Sequence, residues 1–145
     1  MKTWSSLHGR TVVLAGLFGL WFVLVACDRR SGFDQRLSGT WAATWRSPSG
    51  ATFASTTTIN TNGDYAARIL VNGAPGKQSL EEEGTVAIRD GLFVNTMTNY
   101  CNTNLARPIT TRGHLVRLDS RELVVHWDPN DGIATKDVVC RKLEH

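Results

Sequence analysis

Gly39-Thr40-Trp41-Ala42-Ala43-Thr44-Trp45-Arg46 is the stretch that decides the fold of this 145-residue chain. Trp41, Ala43 and Trp45 recur with a period of two, which places them on one face of a β-strand. The turn residues Ser47-Pro48-Ser49-Gly50 follow directly and end the pattern. The stretch therefore predicts a half-buried strand with two tryptophans on its apolar face.

Short alternating runs of the same kind continue to the end of the chain. Asn62-Gly63 predicts a hairpin with a two-residue type I′ turn, and Asp90-Gly91 predicts a second tight hairpin. The remaining strand candidates are Thr52–Ile59, 65–71, Thr85–Ile88, Leu92–Thr98, His114–Leu118, Glu122–Trp127 and Lys136–Arg141. Seven or eight strands without a helical pattern predict an all-β domain, a small antiparallel up-and-down β-barrel, with a β-sandwich as the alternative.

The amino-terminal segment has the pattern of an export signal. Lys2 and Arg10 give a positive start, and the apolar block from Val12 to Ala26 is shorter than the roughly 20 residues of a spanning helix. Leu24-Val25-Ala26-Cys27 resembles the lipobox of bacterial lipoproteins. The resemblance implies cleavage before Cys27 and acylation of its thiol. The alternatives are an ordinary secretory signal or an uncleaved helix.

The polar stretch after Cys27 predicts a flexible tether to the membrane. We therefore expect three regions: a signal peptide at 1–26, the lipidated cysteine and tether at 27–37, and the β domain at 38–145. Asp28 resembles the signal that retains lipoproteins in the inner membrane of enteric-type bacteria. This resemblance implies a lipid-anchored protein facing the periplasm, at the inner membrane rather than the outer membrane.

The three cysteines fit this interpretation. Lipidation of Cys27 leaves Cys101 and Cys140 as an even pair in an oxidising compartment, where disulfides persist. The count therefore predicts a Cys101–Cys140 disulfide, with two buried free thiols as the alternative.

The opening of the β domain is similar to that of the lipocalins. Leu37-Ser38-Gly39-Thr40-Trp41 contains their Gly-x-Trp motif, and Asn62-Gly63-Asp64-Tyr65 resembles a turn of bacterial lipocalin-like lipoproteins. The resemblance implies that Trp41 plugs one end of a barrel and that Arg141 packs over it. Thr98-Asn99-Tyr100 resembles the Thr-Asp-Tyr loop motif of the family. Avidin shares the Gly-Thr-Trp opening, but the later segments here lack its run of pocket tryptophans.

Catalytic and metal-binding patterns are weak. His114 falls opposite His126 if Asp119–Arg121 forms a three-residue loop, but two ligands are too few for a metal site. Glu81-Glu82-Glu83 alternates between the faces of a strand and is typical of a solvated edge. No nucleophile elbow is present. We therefore expect a protein that is not an enzyme and uses no metal or cofactor.

The charge of the chain argues against nucleic acid as a partner. Its formal charge of +3 falls to +1 when Lys2 and Arg10 leave with the signal, because 14 basic residues then face 13 acidic residues. No basic stripe interleaved with aromatic residues appears. The membrane, reached through the lipid anchor, is the expected partner surface, and a monomer is the expected state.

Three kinds of function remain. A barrel that binds a small apolar ligand would use inward side chains, and the candidates are Trp41, Trp45, Phe53, Tyr65, Ile69, Phe93 and Val94. A protein-binding lipoprotein, such as an inhibitor of an envelope hydrolase or an accessory subunit of a membrane complex, would use the long Asn99–Ile109 segment or the Asp128–Gly132 turn. The exposed candidates in that segment are Tyr100, Asn102, Asn104 and Arg107. The third kind is a structural lipoprotein without a separable site.

Overall fold

Eight antiparallel strands close into an up-and-down barrel in this computed structural model, which describes residues 33–73 and 76–144. The strands are β1 (Gly39–Arg46), β2 (Thr52–Ile59), β3 (Asp64–Gly73), β4 (Gly76–Arg89), β5 (Leu92–Tyr100), β6 (Thr103–Leu118), β7 (Glu122–His126) and β8 (Val138–Lys142). Each strand pairs with its neighbours in sequence, and β8 returns to β1. The predicted barrel is therefore confirmed, and the sandwich alternative is wrong because the sheet closes.

The alternation along the strands sends one face of the sheet into a common interior. Trp41 pairs with Thr57 and Trp45 pairs with Phe53 across β1 and β2. The inward positions of β3 are buried while the positions between them are exposed. This period of two puts the core inside the barrel, as it does in other small closed sheets.

The two glycine turns differ from each other. Asp90 and Gly91 both have positive φ, 52° and 76°, as a type I′ turn requires. Four residues, 60–63, connect β2 and β3, and the Gly63 N–H donates to the Asn60 carbonyl at 3.0 Å. Gly63 has φ of 91°, but Asn62 is not in the left-handed region. The predicted hairpin is present there, and its predicted type I′ turn is wrong.

The segment Asn99–Ile109, predicted as a long irregular loop, is a hairpin. β5 runs to Tyr100 and β6 starts at Thr103, so that Cys101 and Asn102 form a two-residue turn with φ of 49° and 60°. Pro108 cannot donate to a ladder. It lies where the β5–β6 register is interrupted, between the pairs Asn99–Asn104 and Met97–Ile109. A bulged strand tolerates proline at such a place.

The last residues assigned to the tether pack onto the barrel. Gln35–Leu37 form a short 3-10 helix, and the Leu37 side chain is 0% exposed. Phe33 packs against the core beside Gly63. The domain boundary therefore lies before Phe33, because these apolar side chains bury themselves against the end of the barrel.

The predictions on the amino-terminal segment fall on residues 1–32. The signal peptide, the lipobox, Cys27 and Asp28 lie outside the described residues. Within 33–73 and 76–144, no helix is both long enough and apolar enough to cross a bilayer.

Candidate functional site

The interior of the barrel contains a cavity of about 270 Å³. Five of the seven side chains predicted as ligand candidates line it: Trp41, Trp45, Tyr65, Ile69 and Phe93. The sixth, Phe53, stacks on Trp45 with ring centroids 5.3 Å apart and planes 9° apart. Val94 is outside this wall, because it alternates with the inward residues Phe93 and Asn95. The two-residue period of the sequence thus places five of the seven candidates on the cavity wall.

One end of the barrel, which we call the closed end, is plugged by Trp41. This end carries the β2–β3, β4–β5 and β6–β7 turns and the short helix Gln35–Leu37. Trp41 is 2% exposed, and its indole Nε1–H donates to the Leu37 carbonyl at 2.7 Å. Ile59 and Leu123 are also buried inside the barrel near this end. Trp41 therefore has the plugging position that the lipocalin resemblance implied.

A basic side chain lies over Trp41, but it is not Arg141. The Lys142 ammonium is 5.1 Å from the indole centroid and also donates to the Arg36 carbonyl at 3.3 Å. Lys142 pairs with Trp41 in the β1–β8 register, whereas Arg141 pairs with Ala42 and is exposed. The prediction for Arg141 is therefore wrong by one residue, which in a strand reverses the face.

The opposite end, which we call the open end, is less densely filled. It carries the β1–β2, β3–β4 and β5–β6 turns. The inward side chains of Trp45, Phe53 and Val71 near this end are only half-buried. Ile109, also on the cavity wall, is 50% exposed. The cavity is therefore best reached by solvent and ligands from this end.

Gly113 on β6 makes room for Trp127, the third tryptophan on the cavity wall. A Cβ on Gly113 would lie 3.1 Å from the Trp127 ring and would overlap Val125 Cγ1. Trp127 instead occupies this space and meets Phe93 edge-on, with centroids 6.3 Å apart and planes 88° apart. The edge-to-face contact is a favourable aromatic geometry.

Polar side chains interrupt the apolar wall at Ser55, Thr57, Tyr65, Glu82, Asn95 and Thr111. The Tyr65 hydroxyl and Asn95 Oδ1 are buried and make no hydrogen bond. The Asn95 side chain lies near the Tyr65 hydroxyl, but the two are not in hydrogen-bond geometry. Burial, followed by the charge of Glu82, raises the pKa of Tyr65 to about 12, and the neighbouring Asn95 opposes this rise. Burial also raises the pKa of Glu82.

The position of Glu82 was missed by the sequence analysis. The Glu81-Glu82-Glu83 run does alternate between faces, and Glu81 and Glu83 are exposed while Glu82 lines the cavity. β4 extends from Gly76 instead of starting near Thr85, so that the run lies within a strand and not before one. The alternation along the strand could have indicated this position, because Glu82 is an even number of residues from Leu80 and Val86, which pack in the core.

Gly84 lies next to this polar group. It pairs with Tyr65 on one side and with Met97 on the other. A Cβ on Gly84 would overlap the Thr96 carbonyl oxygen and lie 2.9 Å from Met97 Cα. The missing side chain lets β5 approach β4 at the register shift between Glu83 and Gly84.

The predicted Cys101–Cys140 disulfide is not formed, and both residues are free thiols. Cys101 is exposed in the β5–β6 turn, whereas Cys140 lies on β8, paired with Ala43 and Leu123, and lines the cavity. Cys101 is flanked by β5 and β6, and neither of these strands pairs with β8, which carries Cys140. Burial raises the pKa of the Cys140 thiol to about 11.

The residues predicted to bind a partner lie on the β5–β6 hairpin. Tyr100 is at the end of β5, Asn102 is in the turn, and Asn104 and Arg107 are exposed on β6. None of them lines the cavity. All four are thus on one hairpin, but Tyr100 pairs with Thr103 and Asn104 pairs with Asn99, so Tyr100 and Asn104 lie on opposite faces of it.

His114 pairs with His126, as the sequence predicted. Both are exposed, and His126 Nδ1 lies 2.7 Å from Asp137 Oδ1. Among the described residues, no group of three or more potential ligands is arranged to hold a metal ion.

No family model and no curated protein matches this chain. Among solved structures, the chain is similar to a de novo designed fluorescence-activating β-barrel. The two share 18% sequence identity with a TM-score of 0.47, and the match covers 76% of this chain and 95% of that chain.

Proposed function

We propose that this protein is a non-catalytic binding protein that holds a small, mainly apolar ligand inside its barrel. The observation that carries the proposal is the cavity of about 270 Å³ in the barrel interior. An apolar cavity of about 150 Å³ is enough to bind benzene, and drug-sized pockets start at about 300 Å³. The cavity therefore suits a compact molecule of about two fused rings or a short branched chain.

The composition of the wall supports an apolar ligand. Aromatic and aliphatic side chains dominate it, including Trp41, Trp127, Phe93 and Val125. A ligand in the cavity would regain the van der Waals contacts that an unfilled space forfeits. The closed end has its plug, so the ligand would enter past Trp45 and Phe53 at the open end.

A matched pair of alanines on β3 tests this proposal. Ala67 lines the cavity and Ala66 is exposed on the outside. The full chain, in a non-ionic detergent, is dialysed to equilibrium against 1-naphthylmethanol, with the same concentration of empty micelles in both compartments. We expect saturable binding that Ala67→Leu reduces at least about tenfold, because the larger side chain fills the cavity. Ala66→Leu should bind as the unmodified protein does. Equal binding by both variants, or no saturable binding, would contradict the proposal.

We further propose that the protein is anchored to the cell membrane through acylated Cys27 and faces the periplasm, with the inner membrane favoured by Asp28. Leu24-Val25-Ala26-Cys27 and the positive start of the chain support this. Two or more acyl chains give stable anchoring, because each buried methylene contributes about 0.8 kcal/mol. Metabolic labelling with an alkynyl palmitate tests it: Cys27→Ser should abolish the label and Cys101→Ser should retain it. Label retained in Cys27→Ser would refute the anchor.

One observation favours a second function, the binding of an envelope protein. β7 pairs with β6 only over His114–Leu118, so the earlier part of β6 has β5 as its paired neighbour. Tyr100 and Ile109 are large apolar side chains exposed in this hairpin. Exposed strand edges are sites where another chain adds a strand. Cross-linking in cells should then depend on Tyr100 and Arg107, with the fold of Tyr100→Ala and Arg107→Ala intact. A cross-link that persists in both variants would argue against this surface.

A further inference from the structure

We propose that the ligand carries a protonated amine on its apolar body, and that Glu82, Asn95 and Tyr65 bind this ammonium inside the barrel. The inference rests on the proposed function and specifies the class of ligand. It follows from the hydrogen-bonding capacity of the cavity wall, from its charge, and from the absence of internal partners for its polar atoms.

The three polar groups share one chemical property, which is that each has an oxygen free to accept a hydrogen bond. Asn95 Oδ1 and the Tyr65 hydroxyl are buried without a partner. No hydrogen bond or ion pair to the Glu82 side chain is found among the described residues. They lie on adjacent strands, since Tyr65 is on β3, Glu82 on β4 and Asn95 on β5. An alkylammonium group has three donors and no acceptor, so it matches this set.

The charge of the wall points in the same direction. Within residues 33–73 and 76–144, Glu82 is the one acidic residue that lines the cavity, and no lysine, arginine or histidine of these residues lines it. A carboxylate ligand would offer no donor to these oxygens and would meet the charge of Glu82. A neutral alcohol could satisfy one oxygen and leave the others unpaired. Buried charges are stable when they are paired and hydrogen-bonded, which the ammonium and Glu82 would do for each other.

Tyr65 connects the other two polar groups, because its hydroxyl lies near Asn95 and the charge of Glu82 acts on it. Gly84 separates Glu82 from Val86 on the inward face of β4, and it pairs with Tyr65 on β3. The ammonium would lie beside the Tyr65 hydroxyl, on the side of Glu82. The apolar body of the ligand would extend along the aromatic wall formed by Phe93 and Trp127.

The binding should depend on pH through Glu82. The titratable groups that face Glu82 are Tyr65 from β3 and Tyr100 from the end of β5. Burial raises the pKa of Glu82, so this carboxyl takes up its proton at a higher pH than an ordinary glutamate. The ammonium remains charged in that range. The affinity for an amine should therefore fall as the pH falls through the pKa of Glu82.

The experiment compares three probes that share one naphthyl body: 1-naphthylmethylamine, 1-naphthylmethanol and 1-naphthoate. Each is titrated against the full chain by the equilibrium dialysis described above. The matched variants are Glu82→Gln, which removes the inward charge with little change in size, and Glu83→Gln, which removes an outward charge one residue away. The amine titration is repeated at a pH above and a pH below the pKa of Glu82.

We expect the amine to bind at least about tenfold more tightly than the alcohol, and the naphthoate to bind most weakly, because a hydrogen bond to a charged group is worth more than a neutral one. Glu82→Gln should remove this preference. Glu83→Gln should keep the preference. The advantage of the amine should shrink at the lower pH.

Two failures can be told apart. If the amine and the alcohol bind equally, or if Glu82→Gln leaves the preference intact, the amine inference is overturned while the cavity remains the binding site. If none of the three probes shows saturable binding, the proposed function fails and the inference fails with it. Preferential binding of the naphthoate would overturn the inference and would indicate an acidic ligand.

Discussion

The closed end and the open end of the barrel are built from the same strands but pack very differently. At the closed end, Trp41 is almost fully buried, its indole nitrogen is hydrogen-bonded to Leu37, and Lys142 covers its ring. At the open end, Trp45 has the same inward orientation on the same strand, but it is half-buried and stacks on Phe53. Two tryptophans four residues apart thus have different environments.

The difference teaches how a small barrel can be both stable and hollow. The residues 33–37 supply the closed end with buried apolar surface that the strands alone do not have. Burial of apolar surface and close packing there stabilise the fold. The open end is left free of such packing, so that the interior keeps room for a ligand.

The largest expected effect is a difference in stability between alanine variants of the two tryptophans. Trp41→Ala should reduce the free energy of unfolding by about 3–5 kcal/mol, as for other large-to-small changes in a core. Trp45→Ala should reduce it by roughly 1–2 kcal/mol, because its side chain is only partly buried and loses one stacking partner. Chemical denaturation followed by far-ultraviolet circular dichroism measures both. Equal losses of unfolding free energy in the two variants would show that the closed end and the open end contribute equally to stability.

The next effect compares two thiols. With its pKa raised to about 11, about one Cys140 thiol in a thousand is ionised at pH 8. Alkylation by iodoacetamide at that pH, followed by peptide mapping, should therefore modify Cys140 on the order of a hundredfold more slowly than an unperturbed thiol. Cys101, exposed in its turn, is the internal comparison and should react first. If neither thiol reacts until a reductant is added, the two cysteines are bridged after all.

A smaller effect concerns the glycines that border the cavity and the open end. Gly84→Ala should cost about 1–3 kcal/mol, because the added methyl group overlaps the β5 backbone and overpacks the wall. Gly73→Ala is the matched control at the end of β3, where the added Cβ would lie 3.4 Å from the Ala51 Cβ. We expect this control to stay within about 0.5 kcal/mol of the unmodified protein. Thermal or urea unfolding of the two variants measures the contrast, and a harmless Gly84→Ala would mean that β4 and β5 can separate at no cost.

The smallest effect concerns the cation over Trp41. Lys142→Met keeps most of the apolar stem of the side chain and removes its charge, so the loss should be about 0.5–1 kcal/mol, the worth of a cation–π contact. Arg141→Met, on the outer face of the same strand, should change the stability by less. The same unfolding measurements decide between the residue that the lipocalin resemblance implied and the residue that the structure places over the ring. A larger loss for Arg141→Met would reverse the assignment.

Much of the fold could be predicted from the sequence because the alternation of apolar residues fixes the face of each side chain. The Asp90-Gly91 turn was predicted from its dipeptide, and both residues have positive φ. Such a turn depends on neighbours in sequence, so a local pattern is sufficient to predict it. His114 does pair with His126, but Leu118 pairs with Leu123, and the register shift between Leu115 and Arg117 restores the predicted pair.

The features that the sequence did not predict depend on contacts between distant residues. Cys101 and Asn102 adopt positive φ in a turn that carries no glycine, which the usual turn patterns do not indicate. Lys142 rather than Arg141 covers Trp41 because β8 pairs with β1 in a register that neither strand specifies alone. Glu82 faces inward because β4 begins earlier than its apolar pattern does. The run of three glutamates indicated a solvated edge, whereas the alternation along β4 indicated an inward position for Glu82. The structure follows the alternation.

The tryptophans of the described residues, Trp41, Trp45 and Trp127, all line the cavity. The β domain therefore carries its own optical reporter. A ligand in the interior would contact these indoles and displace solvent from them, whereas one adsorbed on the outer surface would not touch them. A shift of the intrinsic emission would thus follow the filling of the cavity without any added label.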